Sequence, residues 1–560
     1  MKTPRFRDSG ILLAATLLVS LLPLSAFEKK AASPPNETSA PQAAPSPAGE
    51  KADAGLEALR AKRREAAQRK RRVIYNNDGN ETFRKVREVS VEAFLKPRTT
   101  GIEGSQVDAI SYCTGHAWGL FGHGTKIGTV LDVKESPGET TQLFGNNLTR
   151  EYLQAGLDPL RMIVDFGHAN KMEVFWSMRM NDTHDGGDKT PYGKALFAYN
   201  RLKNEHPEFL VGTRENPPAN GSWSAVDYAN PAVRDHTFRF MQEVCQNYDI
   251  DGIDLDFFRH RVFFKSTANG KDATPEEVAA MTDLMRRIRR MTEEEGLKRG
   301  RPILVIMRVP DSAAYAKAAG LDIEEWLKEG LLDLMVVSSY IQLNPWEVSV
   351  ALGHKYGVPV YPSLDEARLK DEDSQALRYR SELGLRGRAL NAWKAGVDGI
   401  YTFNFFDPAS RLWRELGDPD VLAKLDKDYF ASFRGVGAPA GVPHESYITL
   451  PTLNPGAPLK IEAGGANETQ FRCGDDPDRI GKATLRLRFK APAETGLLSV
   501  ALNGTPLANP RQEKDWLAFD LDPKTLKSGP NAVRVSLAAA ASRPALWTDL
   551  HMQVRQEQSQ

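Results

Sequence analysis

From residue 72 onward, short apolar runs alternate with longer amphipathic stretches, and each run ends in polar residues. Eight such runs stand out, at 72–76, 109–113, 173–177, 250–257, 303–307, 334–338, 358–361 and 399–403. Apolar runs of this length, separated by helical periodicity, predict buried parallel strands joined by helices. Helical patterns at 231–248, 274–297 and 323–328 fit between them, and Thr274-Pro275-Glu276-Glu277 supplies an N-cap followed by Pro at the first helical position. Eight βα units over this span predict an α/β fold, a (β/α)8 TIM barrel. An open doubly wound sheet is the alternative, but no Gly-rich phosphate fingerprint follows the first run.

The pattern changes at both ends of this region. After Phe433 comes a Gly/Pro-rich stretch at 435–441, then strict alternation at 483–489, 498–504 and 531–537, which predicts a small C-terminal β-sandwich. At the N-terminus, Lys2, Arg5 and Arg7 precede an apolar run at 11–24 that ends in Ser25-Ala26, the make-up of a secretory signal. The run is short for a membrane span, and an uncleaved anchor is the alternative. The expected organisation is a signal peptide at 1–26, a disordered and then charged linker at 27–70, a catalytic barrel at 71–433, a linker at 434–446 and an accessory sandwich at 447–556. The charged stretch 56–72 is expected to be a solvated helix, and the protein is expected to be exported, periplasmic or extracellular.

Charge and cysteine content narrow the function. Lys+Arg and Asp+Glu are both 73, so there is no basic excess to displace phosphate counterions, and nucleic acid is excluded as the expected partner. Cys113, Cys245 and Cys473 are far apart, which indicates neither a disulfide framework nor a structural zinc site. No cofactor and no metal are expected. The 182–188 segment, Asp-Thr-His-Asp-Gly-Gly-Asp, has oxygen ligands for a hard cation but no EF-hand spacing, so it reads as a polar turn.

The chemistry concentrates in Asp251-Gly252-Ile253-Asp254-Leu255-Asp256-Phe257-Phe258-Arg259. Alternation places Ile253, Leu255 and Phe257 on one strand face and Asp254 and Asp256 on the other, so the carboxylates point into the barrel. Two like charges on one short strand drive their pKa values apart or demand a cationic neighbour. Active sites of this fold lie on the loops after the strands, and the loops at 114–149, 179–230 and 258–272 are long enough to be functional.

This string resembles the fourth-strand motif of family 18 chitinases and of the family-10-like glycoside hydrolase barrels of bacterial exported proteins. The family 18 motif continues with a Glu general acid where this chain has Phe258. The second group is the closer match, because 72–79 resembles its first strand and 175–182 its third. The resemblance covers about residues 70 to 430. It implies sugar chemistry, and the C-terminal module resembles jelly-roll accessory domains of glycosidases.

A glycosidase needs a carboxyl acid and a second carboxylate. Asp256 is the expected nucleophile or base, with Asp254 beside it, and Asp182, Asp365 and Glu366 compete as its partner. Expected substrate-binding residues are Asp78, His116, Trp118, Arg179, Asn181, His184, Arg259, Arg308, Tyr340 and Asn404. His116 and His184 are also acid/base alternatives. Trp118, Trp223 and Trp346 are candidates for stacking on sugars. Arg179, Arg259, Arg261 and Arg308 suit either an anionic sugar or neutralisation of Asp254 and Asp256. The expected function is hydrolysis of glycosidic bonds in a polysaccharide or oligosaccharide. The alternatives are a non-catalytic carbohydrate-binding or scaffold barrel and a sugar lyase.

Overall fold

The structure is a computed structural model that describes residues 47–133, 146–187, 191–338, 341–365, 381–431, 445–451, 453, 458–490 and 494–557. The expected signal segment lies outside these residues, as do Tyr340, Glu366 and most of the expected 434–446 linker. Among the described residues no helix is long and apolar enough to cross a membrane.

Eight parallel strands close into a barrel. They are β1 (Val73–Asn77), β2 (Val107–Cys113), β3 (Glu173–Arg179), β4 (Gly252–Asp256), β5 (Leu304–Val309), β6 (Leu334–Val337), β7 (Val360–Asp365) and β8 (Ile400–Phe403), each paired with its neighbours in sequence and β8 with β1. Period-two alternation explains the closure. Val73, Tyr75, Trp176, Ile253 and Leu255 pack outward in the large core under the helices, whereas Ile74, Phe175, Ile306, Tyr361 and Tyr401 form a separate cluster. Each strand is buried on both faces, as a parallel barrel requires. In register, Arg179 of β3 lies opposite Asp256 of β4, which lies opposite Arg308 of β5.

Helix α1 (Pro47–Ala67) corrects the expectation of a solvated linker. Leu59 and Ala67 are buried. Arg60 and Arg63 reach Glu293 at 3.0 and 2.7 Å, on the long helix Pro275–Arg299. Arg71 is fully buried and forks onto Glu173 at 2.6 and 2.9 Å. From sequence the charge run reads as solvated because the carboxylates that dock it, Glu173 and Glu293, lie more than a hundred residues away.

Strand β9 (Lys427–Phe430) falls inside the span assigned to the barrel but pairs antiparallel with the last strand, Ala545–Gln556. That strand also pairs with Leu459–Ile461 and Ile480–Phe489, the latter continuing to Trp516–Leu521 and Arg511–Glu513. A second antiparallel sheet is built from Ala466–Cys473, Gly529–Leu537, Leu498–Leu502 and Thr505–Pro506. Helix Glu382–Lys394 backs β9 so closely that a Cβ on Gly387 would sit 2.2 Å from the Asp428 carbonyl.

Candidate functional site

The ends of β1 and β3 and the segment after β4 carry the site. Asp78 follows β1 and is turned by Gly79, whose φ of 63° suits glycine; a Cβ there would meet the Cys113 carbonyl at 1.8 Å. Two other strand ends bend through left-handed backbone, at Ser338 (φ 67°) and Asn404 (φ 59°). The loop after β3 is pinned by a buried Lys203–Asp185 ion pair at 2.9 Å, with Ser224 also bonded to Asp185. This pin holds the short turn His184–Gly186 against the barrel.

The strand-4 carboxylates both face inward, as alternation requires, but they have different partners. Asp254 is fully buried; its Oδ2 accepts from the hydroxyls of Ser111 at 2.5 Å and Tyr401 at 2.9 Å. Burial first, and then the charge of Asp256, push its pKa up to about 6 against the pull of these hydrogen bonds. Asp256 is gripped by Arg308, with Nε 3.0 Å from Oδ1 and Nη2 2.5 Å from Oδ2, and accepts the backbone N–H of Phe258 and Arg259. Phe258, in the place of the family 18 Glu, is buried with Tyr315, Ile341 and Leu343.

Arg179 joins β1 to the loop after β3. It donates to Asp78 and, at 3.2 Å, to Asp182. Burial opposes the charged form of Asp78, but Arg179, Arg98 and Arg259 outweigh it and hold its carboxyl below the usual range. Asp182 is held well below that range: its burial is overcome chiefly by His184, then Arg179 and His260. Asp182 Oδ1 lies 2.6 Å from His184 Nδ1, and Arg259 Nη2 lies 2.9 Å from His184 Nε2. His260 packs edge-on to His184 at 5.1 Å.

Access divides the expected catalytic set. Asp182 and Asp256 are 1% and 3% exposed, and Asp365 is buried, with its backbone carbonyl accepting from Arg388 at 2.6 Å. Asp78, His184 and His260 keep 22%, 29% and 21% of their side chains exposed.

Several expected binding residues are buried and engaged by the protein itself. Trp118 is in the core against Phe240 and Phe209, its indole N–H bonded to Thr237 at 3.1 Å, so it presents no free face to a sugar. Asn181 spends its amide on the carbonyls of Val226 and Val262 and accepts from the Val226 N–H. His116 is buried against Phe83, and Arg308 is fully buried between Asp256 and the Phe403 ring. Trp346 is buried beside the sandwich residues Asp428, Tyr429 and Arg472.

Sequence reasoning missed His260 and Arg98. The first had a signal, an Arg-His pair directly after the strand-4 motif. Arg98, which bonds Asn77 at 3.0 Å and stacks over Phe406 at 4.0 Å, lies outside any strand end and had none.

Asp182, His184 and His260 bring possible ligand atoms within 4.8 Å of one another. A metal on His184 Nδ1 fits poorly here. Arg259 can only donate, so Nε2 is the acceptor and the Nδ1 proton points at Asp182. The two adjacent guanidiniums further oppose a bound cation.

No protein-family model matches the chain, and no curated protein matches it. The solved structures it is similar to include glycoside hydrolases. A family 18 N-acetylglucosaminidase from Paenibacillus barengoltzii shares 14% identity over 63% of this chain and 98% of its own, with a TM-score of 0.35. Alpha-L-fucosidase isoenzyme 2 from Paenibacillus thiaminolyticus shares 14% over 63% of this chain and 49% of its own, TM-score 0.37. The GH36 alpha-galactosidase AgaA from Geobacillus stearothermophilus shares 12% over 84% of this chain and 56% of its own, TM-score 0.32. The chain thus spans about half the length of the latter two. Likeness at this level assigns no chemistry to the site, and the class defined by the chain's own geometry is a closed (β/α)8 barrel joined to a β-sandwich.

Proposed function

We propose that this chain is an exported glycoside hydrolase that cleaves a polysaccharide or its oligosaccharides at the C-terminal mouth of the barrel. The observation that carries the reading is the convergence of a carboxylate (Asp78), two imidazoles (His184, His260) and a guanidinium (Arg259), all partly open to solvent and seated on a layer of internally paired Arg and Asp residues. Such a set offers both proton transfer and the charge-assisted hydrogen bonds that orient hydroxyl-rich substrates. The family-10-like resemblance of β1 and β3 points the same way, and the N-terminal sequence pattern supports export. Of the four arginines, Arg179, Arg261 and Arg308 are buried and Arg259 is partly open, so recognition of an anionic sugar rests on Arg259.

The test is incubation of the purified protein with neutral, uronate and sulfated oligosaccharides, followed by assay of new reducing ends. Release from at least one class is expected. Tight binding without release would instead support a carbohydrate-binding barrel, the reading favoured by Phe258 in the acid position and by the Arg308 grip on Asp256.

A further inference from the structure

We propose that the reacting groups are Asp78 and His184, with Asp182 and Arg179 as positioning residues, and that neither strand-4 carboxylate takes part in bond making. This deepens the hydrolase reading and rests on it.

Three observations support it. Of the expected carboxylates that are described, Asp78 is the most open: Asp182, Asp254, Asp256 and Asp365 are buried. Asp78, Arg179, Asp182 and His184 also form one continuous chain of charge-assisted contacts, so β1 and the loop after β3 are held in fixed relation. Finally, the hydrogen bonds assign the His184 tautomer. A guanidinium has no acceptor, so Arg259 at 2.9 Å makes Nε2 the acceptor, and Nδ1–H donates to Asp182 at 2.6 Å. A buried carboxylate on one nitrogen of a partly exposed imidazole whose other nitrogen is an acceptor is the arrangement of an acid–base histidine.

The charged or titratable groups around His184 are Asp182 and Arg179 from β3 and its loop, Asp78 after β1, and Arg259 and His260 after β4. Substrate entry draws Arg259 from Nε2, which then takes a proton from solvent while Asp182 stabilises the imidazolium. Asp78 attacks the anomeric carbon as the bond to the leaving oxygen breaks, and the Nε2 proton goes to that oxygen. A water then adds to the anomeric carbon, gives its proton back to Nε2 and releases Asp78. One water is consumed and one glycosidic bond is broken.

Phenyl and 2,4-dinitrophenyl glycosides of several sugars separate the roles, using the full chain and variants confirmed as folded by thermal melting. His184→Ala should lose about 10²- to 10⁴-fold turnover on the phenyl substrate and keep most of it on the dinitrophenyl one, whose leaving group needs no proton. Asp78→Ala should lose both and regain turnover with azide, yielding a glycosyl azide. His184→Gln and Asp78→Asn replace any variant that does not fold. Equal loss on both substrates by the His184 variants, or no rescue by azide, overturns the assignment. Wild type inactive on every member sinks the hydrolase reading itself. Nitrogen-15 NMR of His184 tests the geometry without a substrate: an Nδ1–H tautomer is expected. An Nε2–H tautomer, or a shift on adding Zn²⁺ alone, overturns it.

Discussion

Arg308 and Asp256 stand opposite one another on β5 and β4 and meet as a two-pronged, fully enclosed pair, with the Phe403 ring 3.8 Å from the guanidinium carbon. The same carboxylate turns the chain after β4 by accepting the N–H groups of Phe258 and Arg259. Asp256 is thereby engaged on both oxygens by the protein itself, which makes it a latch of the barrel mouth.

Breaking this latch from one side should be costly. Arg308→Met leaves a buried carboxylate without its counter-charge and should lower stability by about 3–5 kcal/mol. Asp256→Leu combined with Arg308→Met should recover much of that loss. Urea unfolding of the two variants measures both. An Arg308→Met protein as stable as wild type would mean that the pair is not a latch.

Asp254 predicts a pH effect with a definite sign. Its carboxyl titrates at about 6 in the fold, against roughly 3.9 in an unfolded chain. The native state therefore holds the extra proton between these values. Its contribution to stability is full below about pH 4, falls as pH rises and is gone above about pH 6, a change of about 3 kcal/mol. Thermal melts of Asp254→Asn and wild type should diverge across that window and run parallel above it. Parallel curves throughout would show that Asp254 ionises normally in the fold.

The strands were legible because a parallel barrel buries both faces, and each run ends in polar residues that mark the mouth. The inward aim of Asp254 and Asp256 was legible for the same reason. Which carboxylates remain available was not, because it depends on how folding places the cations: Arg308 of β5 against Asp256, Arg388 of the helix Glu382–Lys394 beside Asp365, and Arg179 at the end of β3 curled back onto Asp182. Trp118 looked like a stacking residue because it opens a loop, yet that loop folds onto Phe240 and Thr237, more than a hundred residues later. The Asp-x-His spacing at 182–184 was the best local clue to the open part of the site.

Glu293 gathers Arg60 and Arg63 of α1 on the helix Pro275–Arg299, and these cations hold its carboxyl below the usual range despite the opposing effect of burial. Glu293→Gln should weaken α1 docking by about 1–3 kcal/mol and make the 55–67 region more susceptible to trypsin. Unchanged digestion would mean that Leu59 and Ala67 dock the helix without the ion pairs.

The last prediction concerns where the barrel ends. The Gly/Pro-rich stretch at 435–441 suggests a cut near residue 433, but β9 belongs to the sandwich sheet through its pairing with Ala545–Gln556. A chain ending at Ala431 would keep β9 and strip away its partner strand, uncovering apolar surface around Tyr429 and a row of unpaired backbone groups. It would also deprive the Lys427 ammonium, buried in the full chain, of Asp475, now 3.0 Å away, leaving it the carbonyls of Leu422 and Leu425. The 47–431 fragment should therefore aggregate or melt well below the full chain in calorimetry. A soluble fragment melting cooperatively at the full-length temperature would place the domain boundary at the Gly/Pro stretch and reduce β9 to an incidental contact.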